Sequence, residues 1–566
     1  MYQEAPYGEK IKGSGAEPRA RYRYRYEFKS ETMTSTIRER RQQVAEFLKT
    51  QGRLALSAIA EATGLSRSAV HRHQQSIDRA EQHPESGWWE TVVGYQWLVR
   101  LVIAVVYHFG IKQGVGAESL SAFFKEIHVD THVGSSPTAL RQLKHRVEAA
   151  IVDYGNAQAE QCQPIEGQGV WLGGDETFFG LPILVLMELG SGFIFTEVET
   201  EDRTYSTWKS QLPAGWESAG WRCHALVSDE ARALIKLATT GLGTVSVADL
   251  FHTLRNLGRP LGRSLGQSLA QLEKQAQQLL HRLNQASTDE TKTALQAQYD
   301  AVIHQQKRVM DDQHRYRQTR QTISLSVHPF DLETGEWQLA TDLSTRLSAL
   351  LPTLNALATD YGGAAALAAV ATFERQIPAL AQGVHAWWHW VSQALSAETQ
   401  DPEVQSWVLT VLLPWLYWSQ QADKTRTPHL KHCYRQAASE AFDALMAAEL
   451  TFTLQPEALE AWIQWGRRMA ANYQRTSSAV EGRNGYLAQR HHVSRGLSPQ
   501  SLKVLTILHN FDLQRPDGTT AAQRLFGHPF PDLFESVLST FTELPRPRRS
   551  SSSQHPNPWH SQPVPA

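Results

Sequence analysis

Two acids follow strand-like runs in this chain. Val170-Trp171-Leu172-Gly173-Gly174-Asp175 is a short apolar run closed by an acid, and Ala225-Leu226-Val227 leads through Ser228 to Asp229. Open α/β sheets place ligands at the carboxyl ends of their strands. If these strands are neighbours, the carboxylates face each other across one strand spacing, about 5 Å. Carboxylates that close repel one another, and a divalent cation resolves the repulsion. Hard oxygen donors with no Cys or His partner call for Mg²⁺ or Mn²⁺ rather than zinc. Each acid also has an ordinary reading: Asp175 as a turn residue before Thr177, Asp229 as the N-cap of a helix. Glu176 and Glu230 adjoin them and are the nearest substitutes.

The elements that must position these acids alternate in type. Leu181–Met187 and Phe193–Val198 are further β-type runs, separated by turn residues including Gly190 and Gly192. A helix from Thr204 to Leu212, the strand before Asp229, a helix from Ala231 to Ala238 and a strand at Val245–Val247 follow. The order β-β-β-α-β-α-β makes the first and fourth strands expected neighbours. After Arg255 the pattern is helical for about two hundred residues, beginning with a polar hairpin over Ser268–Asn284 and Thr291–Gln318. Further helices are expected around Leu347–Leu357, Ala364–Phe373, Ala386–Leu395 and Trp407–Trp418. Trp387, Trp388 and Trp390 read as core, with stacking on an extruded base as the other reading.

Upstream, residues 37 to 81 read as three short helices with eight Lys/Arg against five Asp/Glu. Ala60, Gly64 and Val70 supply a small residue, a permissive turn and a buried β-branched residue, and Ser66 caps the third helix. The segment resembles a helix-turn-helix, which puts Arg67 and Arg72 on a helix that enters the major groove. A second helical unit follows, in which Pro137 opens a helix after Gly134–Ser136. It serves either DNA binding or packing and dimerisation. The first 36 residues carry the alternation Arg21-Tyr22-Arg23-Tyr24-Arg25-Tyr26. They are expected to be a disordered leader, with Met33 as an alternative start, rather than a nucleic-acid-binding arm. The Pro/Ser-rich C-terminus is expected to be disordered.

Composition narrows the class. The chain has 566 residues, 41% hydrophobic and 20% charged, with Lys+Arg 55 against Asp+Glu 57 and a net charge of −2. That is globular material for several domains, and any nucleic-acid surface must be local. Cys162, Cys223 and Cys433 are too scattered for a disulfide framework or a Cys-based zinc site. No secretory signal is read, and Val92–Phe109, interrupted by Arg100, reads as a buried helix rather than a membrane span. The expectation is a soluble, cytoplasmic protein, nucleoid-associated in a prokaryote. His71/His73 and His491/His492 lack partners spaced for a metal.

The β-β-β-α-β-α-β order with Asp175 and Asp229 resembles the RNase H-like core of DDE transposases. Val227-Ser228-Asp229-Glu230-Ala231 and Ala248-Asp249-Leu250-Phe251-His252 look like consecutive motifs of the Mutator-like and hAT-like branch. There the second catalytic Asp is followed by a (Cys or Asp)-x-x-His signature, matched here by Asp249 and His252. A large helical insertion then precedes the helix with the catalytic Glu. Ser477-Ser478-Ala479-Val480-Glu481-Gly482-Arg483-Asn484 is similar to that Glu motif, and Gly518–Phe526 resembles a segment that trails such cores. Glu481 also has a local reading, as the acid three residues after Ser478 in a capping box, bonding back to the Ser backbone.

The resemblance implies an α/β RNase H-like catalytic core with a mixed sheet, interrupted by a large all-α insertion, behind an N-terminal helix-turn-helix. The expected divisions are 1–36, 37–85, 86–165, 166–260 (core), 261–470 (insertion), 471–530 (core) and 531–566 (tail). Asp175, Asp229 and Glu481 would hold two Mg²⁺ ions about 3.5–4 Å apart, with Mn²⁺ able to substitute. Asp249 and His252 would support them, and Arg255, Arg483, Arg490 and Arg495 would contact phosphate. The implied activity is cleavage at transposon ends and strand transfer into target DNA. The implied partners are double-stranded DNA, as terminal inverted repeats and target, and further copies of the chain in a homo-oligomer. The alternatives are an RNase H-fold nuclease without strand transfer and a DNA-binding regulator whose core no longer cuts.

Overall fold

The computed structural model describes residues 37–81, 88–89, 91–164, 169–213, 216, 218, 220–494 and 496–547. The Arg21–Tyr26 alternation, Arg495 and the tail beyond 547 lie outside the described residues. The chain divides into two compact units, a small one up to Trp88 and a large one from Trp89 onward.

The small unit consists of helices Ile37–Gln51, Leu56–Thr63 and Arg67–Glu81. Val44, Ile59 and Val70, one from each helix, form its core, with Phe47, Leu48, Leu56 and Ile77 packed around them. Gly64 ends the second helix at φ 67°, a left-handed cap that a residue with a Cβ adopts only at a cost. Ser66 Oγ accepts from Ala69 N at 3.2 Å and so opens the third helix.

The large unit is mostly helical around one mixed five-stranded sheet. The strands are β1 (Gly169–Phe178), β2 (Pro182–Glu188), β3 (Ile194–Glu199), β4 (Arg222–Ser228) and β5 (Val245–Ala248), in the order β3-β2-β1-β4-β5. β1, β2 and β3 pair antiparallel, while β4 and β5 run parallel to β1. The expected adjacency of the first and fourth strands is therefore present. One boundary differs: β1 does not end at Asp175 but runs on to Phe178, because β2 continues to pair with it through Phe178↔Pro182. β2 is buried along its whole length, as a sheet covered on both faces requires.

The helical region also differs in detail. The two helices expected around Ala364–Phe373 and Ala386–Leu395 are one, Gly363–Glu398, running through Pro378. It covers the β5 side of the sheet: a Cβ on Gly383 would stand 3.0 Å from Val247 Cγ1. Trp387, Trp388 and Trp390 are buried, as the core reading expects. Trp387 Nε1 donates to Met469 O at 3.0 Å and Trp388 Nε1 to Pro329 O at 3.2 Å, so both indole N–H groups are satisfied inside. The polar hairpin is present as Arg263–Gln285 and Asp289–Ser326.

Residues 91–164 do not form a separate core. Their helices share one continuous apolar cluster with the sheet and with the C-terminal helices. Part of the expected disordered tail belongs to that cluster. Helix Leu533–Ser539 is formed, Leu533, Val537, Phe541 and Leu544 are buried, and Pro545 O accepts from Gly134 N. Two helical stretches, Val92–Lys112 and Ala340–Glu398, are long and apolar enough to span a membrane by length and composition. Both bury side chains in the common core, among them Leu98, Val102, Val106, Leu380 and Val384, a packing compatible with a soluble protein.

Candidate metal centre

The centre forms where β1, β5 and helix Ser478–Ser494 meet. Its first requirement is close approach. A Cβ on Gly173 would stand 2.5 Å from Leu189 Cδ2 and 2.9 Å from Val480 Cγ2. Glycine at 173 thus lets the Ser478–Ser494 helix lie directly on β1, two residues before Asp175.

The second requirement is that two helices start at the same place. Asp249, just after β5, is 1% exposed. Its Oδ1 accepts from Phe251 N at 2.6 Å and His252 N at 3.1 Å, capping helix Leu250–Leu257. Its Oδ2 accepts from Ser477 N at 2.7 Å and from the Ser477 hydroxyl. Ser477 is the residue before the helix that carries Glu481. Leu250 N donates to Arg475 O at 3.0 Å, adding a backbone bond between the same two segments. Asp249 thus joins the start of the His252 helix to the start of the Glu481 helix.

With these constraints met, Asp175, His252 and Glu481 each offer a ligand atom, and the three atoms lie within 4.8 Å of one another. His252 Nε2 is 2.6 Å from Glu481 Oε1 without the alignment of a hydrogen bond, and this buried nitrogen has no hydrogen-bond partner. Arg255 Nη1 stands 4.0 Å from Glu481 Oε1. The capping-box reading of Glu481 is not realised. Ser477 precedes the helix, its hydroxyl is given to Asp249, and the Glu481 carboxylate faces His252 and Arg255.

Asp229 stands outside this group of three. The parallel pairing Gly173↔Val227 brings the chain two residues later to Asp175, still on β1, and to Asp229, just past the end of β4. Asp229 Oδ1, however, accepts from Ala231 N at 2.9 Å, closing the turn into the next helix. The turn is strained: Glu230 has φ 65°, uncommon for a residue other than glycine. Gln376, on helix Gly363–Glu398, stands beside the Glu230 carboxyl and favours its charged form.

The carboxyls are held against their preference for water. Burial pushes Asp175 up to about 7; the Glu176 backbone and the His252 charge oppose this, and the negative charges of Glu481 and Glu176 add to it. Burial raises Glu176, against its bond to Arg203, and the Asp229 charge adds to that rise. Burial also raises Glu230. Acids crowded and desolvated in one place are stabilised by a cation, and a nitrogen without a partner beside them is a donor free to bind one. The residues present fit a divalent metal.

Other expected residues are placed differently. The Arg483 guanidinium donates to both Glu197 oxygens, at 2.7 and 2.6 Å, and its side chain is 4% exposed. Arg490 is buried and donates to Ile111 O at 2.7 Å. Both guanidiniums are committed to internal partners, which corrects the expectation that they contact phosphate. Arg255 is partly exposed and stays available. In the small unit, Arg67 and Arg72 are exposed on helix Arg67–Glu81.

Asn484 was not among the expected site residues. It is 8% exposed and its Nδ2 donates to Asp175 Oδ2 at 2.8 Å. Its position three residues after Glu481, on the same helical face, is the signal that points to it.

Residues 408–553 match a family described as a family of unknown function, DUF6399. The match contains Glu481 and Asn484 but none of the five strands. No curated protein and no solved structure matches the chain.

Proposed function

We propose that this chain is a DNA transposase of the DDE type, with an RNase H-like core, a helical insertion and an N-terminal helix-turn-helix. The observation that carries the reading is the convergence of Asp175 and Glu481, from opposite sides of the helical region, beside the (Asp)-x-x-His pair Asp249 and His252. The sheet order, with two parallel strands after an antiparallel three-stranded meander, is compatible with it.

Asp175 and Glu481 would hold the divalent ions, expected as two Mg²⁺ with Mn²⁺ as substitute, and the resemblance adds Asp229 to the set that would hold them. Bound there, the ions supply charge neutralisation for a phosphoryl oxygen and activation of the attacking hydroxyl. Asp249 keeps the two helices in register, and Arg255 binds the incoming phosphate. Arg67 and Arg72 present cationic side chains to the DNA of the element's ends. The same chemistry serves twice, first with water to cut an end, then with the freed 3′-hydroxyl to join target DNA. Cytoplasmic location, on the nucleoid in a prokaryote, and assembly as a homo-oligomer on paired ends follow from this reading.

The test is cleavage of a DNA fragment carrying the sequences that flank the protein's own gene. Wild type is expected to cut with Mg²⁺ or Mn²⁺ and to join the 3′ ends to a plasmid, while Asp175→Asn does neither. Cutting without joining would leave the nuclease; specific binding without cutting would leave the regulator.

A further inference from the structure

We infer that the ion held by Asp175 and Glu481 has an imidazole nitrogen, His252 Nε2, as a third protein ligand, and that the site accordingly prefers a first-row transition ion to Mg²⁺, with Mn²⁺ as its spectroscopic probe. The inference rests on the metal-dependent reading above and goes beyond its all-carboxylate ligand set.

Three features of the site support this. The three candidate donor atoms lie within 4.8 Å of one another, a spread that one ion can bridge once the side chains close on it. His252 Nε2 is buried, stands 2.6 Å from a Glu481 oxygen and still makes no hydrogen bond. A buried polar nitrogen without a partner is costly, and coordination satisfies it. The ring is also held in place: Asp249 fixes the His252 backbone N–H, and Phe251 packs edge-on against the imidazole at 5.7 Å between centroids.

Asn484 is the positioning residue of this arrangement. Its amide donates to Asp175 Oδ2 and so fixes the orientation of the carboxylate toward the other two donors. The Asn484 Oδ1 is buried with no partner and offers an acceptor at the same spot. Mg²⁺ binds through oxygen and dehydrates reluctantly, whereas imidazole suits transition metals. A mixed set of two carboxylates and one imidazole therefore tips selectivity away from Mg²⁺.

The experiment uses the full chain and Mn²⁺ itself. Bound Mn²⁺ is counted by electron paramagnetic resonance, and its pulsed spectrum reports coupling to a directly bound nitrogen. Wild type is expected to bind Mn²⁺ with ¹⁴N coupling that changes to the ¹⁵N pattern when the protein is made with ¹⁵N-histidine. His252→Gln should lose the coupling. Asn484→Leu should keep it but weaken Mn²⁺ binding about 10–100-fold, the usual loss for an outer partner of a ligand. Mg²⁺ should displace the ion only in large excess. Bound Mn²⁺ without histidine coupling in wild type, coupling that persists in His252→Gln, or no bound Mn²⁺ would each overturn the inference. The labelled wild type decides even if a variant fails to fold. DNA cleavage is scored separately: cutting without nitrogen coupling removes this inference alone, and nitrogen coupling without cutting removes the transposase reading alone.

Discussion

Asp249 and Ser477 are 228 positions apart in sequence, yet one buried carboxylate oxygen of Asp249 accepts both the backbone N–H and the hydroxyl of Ser477. The other oxygen of the same carboxylate caps the helix that carries His252. One buried side chain thus ties the start of the His252 helix to the start of the Glu481 helix, beside the Leu250–Arg475 backbone bond. Asp249→Asn keeps the shape but replaces one acceptor oxygen with a donor facing two donors. It is expected to cost about 1–3 kcal/mol, the penalty for buried donors left unpaired. The check is the thermal midpoint alongside Mn²⁺ affinity, both of which should fall. An unchanged affinity would show that the two helix starts are fixed by the Leu250–Arg475 backbone bond instead.

Asp175 was legible because an apolar run ended on an acid, and Glu481 because its neighbours formed a motif. The adjacency of the first and fourth strands followed from the alternation of short β-type runs and helices. What stayed hidden depended on partners distant in sequence. Arg483 sits two residues after Glu481 and reads as a phosphate contact until Glu197, on β3, is seen to hold its guanidinium through Nε and Nη2. Asn484 stood in the quoted motif, but an amide gains meaning only beside Asp175. Gly173 is one member of an apolar run in the sequence, and its purpose appears only when Val480 lies on top of it. The end of β1 was misplaced because an acid marks a strand end only when no partner strand continues past it.

Glu481→Gln separates the metal reading from a structural one. The carboxylate faces His252 and Arg255 rather than the backbone at the start of its own helix. Gln fits the space but loses the charge, so Mn²⁺ binding and end cleavage should fall by orders of magnitude while stability moves by less than about 1 kcal/mol. Binding to end DNA in a gel shift should persist. Near-normal cleavage would remove Glu481 and turn attention to Glu176, whose Oε2 is buried without a partner.

Gly173→Ala is expected to act on the site through packing alone. The added methyl meets Val480 and Leu189, and the Ser478–Ser494 helix must lift from β1. Overpacking of this kind costs about 1–3 kcal/mol. At Gly174 the nearest atom is the tip of Leu234 at 3.0 Å, a side chain able to give way. Mn²⁺ affinity should therefore drop more in Gly173→Ala than in Gly174→Ala, and equal losses would show that helix approach does not set the ligand geometry.

Two buried histidines predict acid lability. The guanidinium of Arg475 only donates, so the 2.8 Å contact to His328 Nε2 makes that nitrogen an acceptor and puts the ring proton on Nδ1, facing Tyr417. Burial, with the Arg475 charge beside it, holds His328 well below its usual 6.5. Burial lowers His224 from 6.5 to about 4, helped by Arg222 and His389. In both cases the unfolded chain takes up a proton below 6.5 that the folded chain refuses. Stability from these groups is complete above that pH and is lost as pH falls toward the folded values. The raised carboxyls of Asp175, Glu176 and Glu230 act in the opposite sense over the same window, so the histidine contribution is read as a difference: relative to wild type, the urea midpoint of His224→Gln should gain steadily as pH falls from about 6.5 to 4. A difference between the two proteins that does not change with pH across that window would show that the His224 ring is solvated on the time scale of titration.

The helical region should prove inseparable from the site. Gln376 and Gly383 lie on the same long helix; the first bonds to Thr253 Oγ1 at 3.2 Å and stands beside the Glu230 carboxyl, and the second receives Val247 of β5. Farther along, Arg475 is tied to Ser324 O and Tyr434 immediately before the Glu481 helix begins. Removing 262–465 and bridging the ends would strip these partners and uncover β5, so the shortened chain is expected to lose cooperative unfolding as well as cleavage. A milder variant isolates the coupling. Gly383→Val must push the long helix off Val247, and through Gln376 it should loosen both the strained turn at Glu230 and the His252 helix. Mn²⁺ binding is expected to weaken although every ligand is intact. Proteolysis of the Gly383→Val protein should open first near 230 and 253; cleavage first within the polar hairpin, with metal affinity unchanged, would show that the region folds and functions apart from the sheet.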